Sequence, residues 1–163
     1  MHIFINKKYL TYGNLKAKCA LGKKGIGIKK KEGDLITPKG LFKIKKVFYR
    51  RDRLKYLDTK LSKNVITNKM GWCDDSKSKK YNQLIKYPFS FRSEKLYRKD
   101  NIYDIILILD FNMKPILKKR GSAIFLHVAK KDFSPTKGCI AISKINLKRL
   151  VGKINKRTKI KII

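Results

Sequence analysis

Short apolar segments in which every second residue is hydrophobic dominate the first third of the chain and constrain its fold most strongly. In the clearest segment, Lys16 and Lys18 alternate with the apolar residues Leu15, Ala17, Cys19 and Leu21. Successive side chains of a β-strand point to opposite faces, so this period of two is typical of a strand with one buried face. We therefore predict strands over residues 3–5, 9–12 and 15–21, joined by tight turns.

Further apolar stretches predict the rest of a sheet. Residues 41–49 alternate apolar residues with lysines, which indicates another half-buried strand. Residues 102–109 and 123–128 are the most apolar runs and should be central strands, and residues 158–163 should form the last strand. The predicted fold class is mainly β with a few short helices (α+β).

Two segments have helical spacing. Ser143 is a suitable N-cap for a helix that ends near Lys153, because an apolar stripe at i, i+3, i+4 and i+7 follows it: Leu147, Leu150, Val151 and Ile154. Residues 76–85 also show helical spacing, behind acids that suit a helix N-terminus, and predict a short helix.

The chain is long enough for one compact core and short for two. It has 163 residues, and the 42% that are hydrophobic are spread along it without a low-complexity tract. We expect one domain over residues 1–163. No apolar run approaches membrane-spanning length, and the N-terminus lacks the features of a signal peptide. Export would therefore use another route, or follow removal of a leader.

The net charge of +32 would attract polyanions such as nucleic acid, anionic lipid or acidic wall polymer. The 35 lysines far outnumber the 8 arginines and are dispersed along the chain. Specific nucleic-acid readers favour arginine and cluster their basic residues, so we expect no specific nucleic-acid partner. Codon bias in an AT-rich genome would also produce this composition, and attraction to acidic wall polymers stays open.

The three cysteines, Cys19, Cys73 and Cys139, include no CxxC pair. This argues against a disulfide framework and a structural zinc site. The glycines form neither GxGxxG nor a Gly-Lys-Ser/Thr loop, so no phosphate-binding loop is indicated. We expect neither a metal nor a cofactor.

Cys139 lies twelve positions after His127, the only histidine outside the N-terminus. A thiol with an ordinary pKa is only a few per cent thiolate at neutral pH, and a nearby imidazole base is the usual means of activating it. The pair therefore suggests a cysteine nucleophile with a histidine base. A hydrogen-bonded interior histidine beside a buried structural cysteine is the alternative.

Gly138 directly precedes the thiol and permits a backbone geometry that other residues avoid. The N–H groups of Gly138 and Cys139 are candidates for holding an oxyanion. A glycine in a simple turn would explain the same pattern.

Several ordered motifs resemble the L,D-transpeptidase catalytic domain family (YkuD-like), over most of the chain. The first is Gly33-Asp34 with Thr37-Pro38-Lys39-Gly40-Leu41-Phe42, and the last is His127 followed by Thr136-Lys137-Gly138-Cys139-Ile140. Between them lie tracts similar to a compact, stand-alone branch of the family: Gly71-Trp72-Cys73-Asp74-Asp75, Tyr81-Asn82, Tyr103-Asp104 and residues 121–127.

The resemblance implies a twisted β-sandwich and acyl transfer on peptidoglycan stem peptides, in the cell envelope or periplasm. Cys139 would form a thioester and His127 would serve as base and then acid. An amine acceptor gives a three-to-three cross-link, and water gives an L,D-carboxypeptidase. The family's cysteine is acylated by carbapenems. A cysteine hydrolase of other amides and a non-enzymatic basic binding module are the alternatives.

The commoner family signature has a histidine before Gly138 and an arginine two residues after the cysteine, where this chain has Lys137 and Ala141. His127 is then the only imidazole base. Lys137 is a candidate for holding the thiolate or a substrate carboxylate, and a solvated lysine is its alternative. Three groups are candidates for orienting the imidazole: a backbone carbonyl near Val128, the hydroxyl of Ser122 and the hydroxyl of Ser134.

Further candidate substrate contacts are Thr136, Trp72, Asp74 and Asp75. The two acids would meet a cationic substrate amine, or would cap the helix predicted after Ser76. Trp72 suits a core or a pocket wall. Cys73 would be a second site thiol or a small buried residue.

Overall fold

The computed structural model describes all residues 1–163 and contains fourteen strands and two helices. The strands are β1 (Ile3–Ile5), β2 (Tyr9–Tyr12), β3 (Leu15–Ala20), β4 (Ile26–Gly27), β5 (Thr37–Pro38), β6 (Gly40–Tyr49), β7 (Lys63–Val65), β8 (Met70–Cys73), β9 (Leu84–Lys86), β10 (Ser93–Lys95), β11 (Ile105–Leu109), β12 (Phe125–Val128), β13 (Ile140–Ile142) and β14 (Lys159–Ile162). The helices are α1 (Arg51–Leu54) and α2 (Lys144–Lys153). The predicted mainly β class is confirmed.

Nine strands form one sheet that folds back on itself, in the order β11-β12-β13-β3-β2-β1-β14-β6-β7. The long strand β6 closes it, because its first half pairs with β14 and its second half pairs with β11 and β7. We call the part from β3 through β2, β1 and β14 to the first half of β6 the first layer. The second layer comprises β13, β12, β11, the second half of β6, and β7.

The main core fills the space between these two layers. Alternating residues supply it, as the period of two predicts: Ile3, Ile5 and Leu10 from the first layer meet Leu107 and Leu126 from the second. In β3 the apolar residues are buried and the intervening lysines are exposed. Burial of such side chains is the dominant favourable contribution to folding.

Helix α2 agrees with its sequence prediction. The Ser143 side chain accepts a hydrogen bond from the Asn146 N–H at 3.3 Å, which caps the first turn. Leu147, Leu150 and Val151 are buried in the main core. No helix in the structure is both long and apolar enough to cross a bilayer.

The helix predicted over residues 76–85 is wrong. The segment forms successive turns and then enters β9. The Asp75 carboxylate accepts a hydrogen bond from the Lys77 N–H at 3.0 Å, so Asp75 closes a local turn instead of capping a helix. Asn82 then adopts a left-handed φ of +56° and its N–H bonds to the Cys73 carbonyl, which ends any helical path.

Two central strands start later than predicted. β11 begins at Ile105 because residues 102–104 form a turn, and β12 begins at Phe125. Ala123, which we expected in a strand, has a φ of +33°. The segments before both strands are therefore free to line the site.

A three-stranded sheet, β10-β8-β9, covers the outer face of the second layer. A smaller apolar cluster joins them, in which Trp72 and Leu96 pack with Ile106, Ile108 and Phe125. The outer face of the first layer has no such cover, since Phe4, Lys16, Lys18 and Leu41 are exposed.

We predict that Ser143→Ala lowers the free energy of unfolding by about 1 kcal/mol, because the first turn of α2 loses its side-chain acceptor. Urea unfolding measures this change. Ser90→Ala is the matched control, since Ser90 is exposed and outside any helix or strand. An equal loss in both variants would contradict the capping role.

Candidate active site

The imidazole of His127 in β12 and the thiol of Cys139, the residue directly before the neighbouring β13, lie on the same side of the sheet. β12 and β13 are parallel, and His127 is in register with Ala141. Cys139 precedes Ala141 by two residues, and side chains two apart in extended chain share a face. Both line a cavity of about 450 Å³, which is bounded on its other side by residues of β8 and β10.

The imidazole is buried and oriented by a backbone carbonyl. Its Nδ1 lies 2.9 Å from the Val128 carbonyl oxygen and donates to it. The residue is 7% exposed, and burial lowers the pKa of His127 to about 4, an effect partly opposed by the hydrogen bond to that carbonyl. His127 is therefore neutral near pH 7, with Nε2 unprotonated. No hydrogen bond joins the ring to Ser122 or Ser134.

The thiol is held in its protonated form. Sγ of Cys139 donates to the Ala123 carbonyl at 3.4 Å and accepts from the Phe125 N–H at 3.4 Å. Burial raises the pKa of Cys139 to about 12, and the negative charge of Glu94 acts in the same direction. No hydrogen bond joins Sγ to the imidazole in this arrangement. The resting pair is a neutral thiol beside a neutral imidazole.

The backbone before Cys139 needs glycine. Gly138 has a φ of +135°, and a Cβ there would lie 2.8 Å from the Ile36 carbonyl oxygen. Thr136 closes this turn, since its Oγ1 donates to the Cys139 carbonyl at 2.6 Å and accepts from the Gly138 N–H at 3.1 Å. The Gly138 N–H is thus occupied, whereas no intramolecular acceptor contacts the Cys139 N–H.

A buried ion pair lies against the same turn. Nζ of Lys29 and Oδ1 of Asp34 are 2.6 Å apart, and both side chains are almost fully buried. Burial alone would raise the pKa of Asp34, but the Lys29 ammonium and the N–H groups of residues 30, 31 and 36 lower it to about 2. Nζ would lie 3.5 Å from a Cβ at Gly138. The pair therefore supports the loop that carries the thiol.

Most of the residues predicted for the site line this cavity: Cys139, His127, Gly138, Thr136, Lys137, Trp72 and Asp74. Asp75 does not line it, because its carboxylate accepts from the backbone N–H groups of Lys77 and Arg92. Asp74 forms an ion pair with Arg92 at 3.1 Å. Cys73 is fully buried and does not reach the cavity.

Glu94 and Tyr103 also line the cavity, and neither was predicted from the sequence as a site residue. The Tyr103 hydroxyl donates to Oε1 of Glu94 at 2.7 Å, and its ring packs edge-on against His127 with centroids 5.4 Å apart. Burial raises the pKa of Glu94 despite this bond. Arg98 lies over the Tyr103 ring at 5.4 Å. Glu94 sits in a short polar strand, so no periodicity could have found it.

Asp104 anchors the turn that carries Tyr103. Its fully buried carboxylate accepts from Arg53 in α1 and from Lys144 at the start of α2, each at 2.7 Å. Both helices therefore help to position the aromatic wall beside the imidazole.

Asn82 links the three-stranded sheet to the thiol. Its Oδ1 accepts from Nε1 of Trp72 at 3.0 Å and from the Ala123 N–H at 2.9 Å. Its Nδ2 donates to the carbonyls of Phe111 and Asn112. Because the Ala123 carbonyl accepts from Cys139, the Asn82 amide supports the backbone that holds the thiol.

The family model for the L,D-transpeptidase catalytic domain (YkuD) matches residues 2–162, which is nearly the whole chain. The sequence matches none of the curated proteins.

We predict that Asp34→Asn removes part of the acid dependence of stability. The folded pKa of about 2 lies below the ordinary value of 3.8, so this stabilisation is complete above about pH 4 and is lost as pH falls toward 2. At neutral pH we expect Asp34→Asn to lower the free energy of unfolding by an amount on the order of 2 kcal/mol. Urea unfolding at a series of pH values measures it, with the exposed Asp58→Asn as control. An unchanged acid slope in Asp34→Asn would refute the prediction.

We also predict that iodoacetamide alkylates Cys139 about tenfold faster for each pH unit between about pH 7 and pH 10. The reason is that a thiol pKa of about 12 makes the thiolate fraction grow by that factor throughout the range. Peptide mass spectrometry gives the rate. Fully buried Cys73 should stay unlabelled in the folded protein. A plateau below pH 8 would show a stabilised thiolate instead.

Proposed function

The chain belongs to the L,D-transpeptidase catalytic domain (YkuD) family, and on this premise we propose that it is a cysteine-dependent acyltransferase of peptidoglycan stem peptides. The observation that carries the proposal is the placement of Cys139 and His127 on one face of adjoining strands, in a shared cavity. We place its action in the cell envelope or periplasm, where that substrate lies.

In the first half-reaction, Sγ of Cys139 attacks the carbonyl carbon between the third-position diamino acid and D-alanine. Nε2 of His127 takes the thiol proton as the S–C bond forms. Collapse of the tetrahedral intermediate breaks the C–N bond, and His127 returns the proton to the departing amine. The products are a thioester acyl-enzyme and free D-alanine.

A neutral imidazole beside a neutral thiol suits these reaction steps. The imidazole has to be unprotonated to accept the thiol proton, and the lowered pKa of His127 keeps it so. The Val128 carbonyl holds the proton on Nδ1, leaves Nε2 for the thiol, and stabilises the imidazolium that forms. Sγ has to turn from the Ala123 carbonyl toward Nε2 before the attack.

The free N–H of Cys139 is the first candidate for oxyanion stabilisation, and the Gly138 N–H can join if it releases Thr136. Each such donor contributes about 3 kcal/mol in comparable enzymes. Thr136 and Lys137 border this position, so a substrate carboxylate would meet the Lys137 ammonium.

In the second half-reaction, the amine of a neighbouring stem attacks the thioester, and the proton it loses passes through His127 to Sγ as the C–S bond breaks. The cavity lining also contains the carboxyl groups of Asp74 and Glu94, together with Trp72. These carboxyl groups would attract an acceptor that arrives as an ammonium ion, which has to release one proton to solvent before the neutral amine attacks. Water in the same position would instead give an L,D-carboxypeptidase.

We predict that a carbapenem adds covalently to the protein and that Cys139→Ala forms no adduct, since it lacks the nucleophile. Intact-mass analysis detects the adduct. His127→Gln should form it at least about 100-fold more slowly, because general base catalysis typically contributes that much or more. Cys73→Ala, with its thiol outside the cavity, is the matched control. A full adduct on Cys139→Ala would overturn the proposal, as would a folded wild type that forms none.

A further inference from the structure

The acidic residues of this chain are confined to its middle. All eleven lie between Glu32 and Asp132, whereas residues 1–31 and 133–163 contain none and carry eighteen lysines and arginines. The parallel pairing of β1 with β14 brings these two acid-free ends together. The strands of the first layer therefore contain lysines and no acidic residue, which the dispersed lysines of the sequence do not reveal.

The outer face of the first layer is the surface where the two ends meet. Cross-strand register places one row of side chains on it, namely Thr11, Phe4, Lys161 and Leu41 in successive strands, with Lys16 beside Thr11. Neighbouring rows add Tyr9 with Lys18, and Lys43 with Lys159. We call these residues, together with Ile163, the basic sheet face.

The basic sheet face combines exposed apolar side chains with cations. Phe4 is 42% exposed, Leu41 is 51% exposed and Ile163 is 49% exposed. Phe4 and Leu41 lie two strands apart, about 10 Å, with Lys161 between them. Lysine side chains lay their apolar stems along a surface and extend the ammonium to its polar boundary.

We propose that the basic sheet face docks on an anionic lipid bilayer. Lysines near such a surface are attracted by its negative potential, and exposed apolar side chains enter the boundary between headgroups and acyl chains. A second copy of this chain does not fit, because the same lysines would face each other. A soluble polyanion would meet the lysines but would leave Leu41 and Ile163 without a partner.

The position of the catalytic cavity agrees with this docking mode. The cavity lies on the outer face of the second layer, where His127 and Trp72 line it. The main core separates the two outer faces. A molecule docked through the basic sheet face would therefore turn its cavity away from the bilayer. Docking in this way would not require the proposed acyl transfer.

Sedimentation with vesicles tests the proposal. The wild type should bind phosphatidylcholine vesicles that contain about 30 mol % phosphatidylglycerol, should not bind pure phosphatidylcholine, and should release when salt rises from about 0.1 M to about 0.5 M. Replacing four face lysines by glutamine (Lys16, Lys18, Lys43 and Lys161) should reduce binding about 100-fold or more. Phe4→Ser with Leu41→Ser should reduce it about tenfold.

The matched control removes the same charge elsewhere, by glutamine at Lys55, Lys60, Lys99 and Lys119, which are exposed and outside the first layer. This control variant should bind the anionic vesicles less than tenfold more weakly than the wild type. Thermal melting establishes that each variant is folded. Equal losses in the face and control variants would overturn the proposal in favour of net charge. Absence of wild-type binding would also overturn it. So would full binding by the Phe4/Leu41 variant, since charge alone would then explain the attachment and any polyanion, such as nucleic acid or wall polymer, would serve equally.

Discussion

The parallel register of β12 with β13 is the constraint on which the candidate site depends. It sets His127 opposite Ala141, so Cys139, two residues earlier, shares the face of the imidazole. A shift by one residue would turn the thiol into the main core. The turn at Gly138, the buried pair of Lys29 and Asp34, and the Asn82 amide hold the thiol at the end of that register. The site is therefore a product of strand pairing, supported by polar contacts from three other segments.

Burial dominates the electrostatics of the site, although the chain carries 32 net positive charges. The pKa of His127 is lowered to about 4 and that of Cys139 is raised to about 12, in both cases mainly by desolvation. Surface lysines are screened by solvent and do not reverse this. Both groups stay neutral, and backbone carbonyls of Val128 and Ala123 orient them. In the proposed reaction, proton transfer from the thiol to the imidazole therefore accompanies the attack on the substrate.

The two layers present different outer faces. The three-stranded sheet covers the second layer and forms one wall of the cavity, whereas the first layer is uncovered. All carboxylates that reach the cavity come from the middle of the chain, whereas the strands of the first layer contain no acidic residue. This separation would let one face bind an anionic surface while the other receives a substrate.

The sequence by itself determined the mainly β class, the buried face of β3, the cap and apolar stripe of α2, and the pairing of Cys139 with His127 as candidates. Each of these depends on spacing within a short segment, where side-chain direction follows directly from backbone geometry. The same reasoning wrongly predicted a helix over residues 76–85, because hydrogen bonds to Asp75 and the left-handed backbone of Asn82 override the helical spacing. Only the tertiary structure decided that Glu94, Tyr103 and Lys29 line the cavity, that burial keeps the thiol protonated, and that the first layer carries no acidic residue. Those properties arise from contacts between residues far apart in the chain, and the spacing of residues within a short segment cannot predict such contacts.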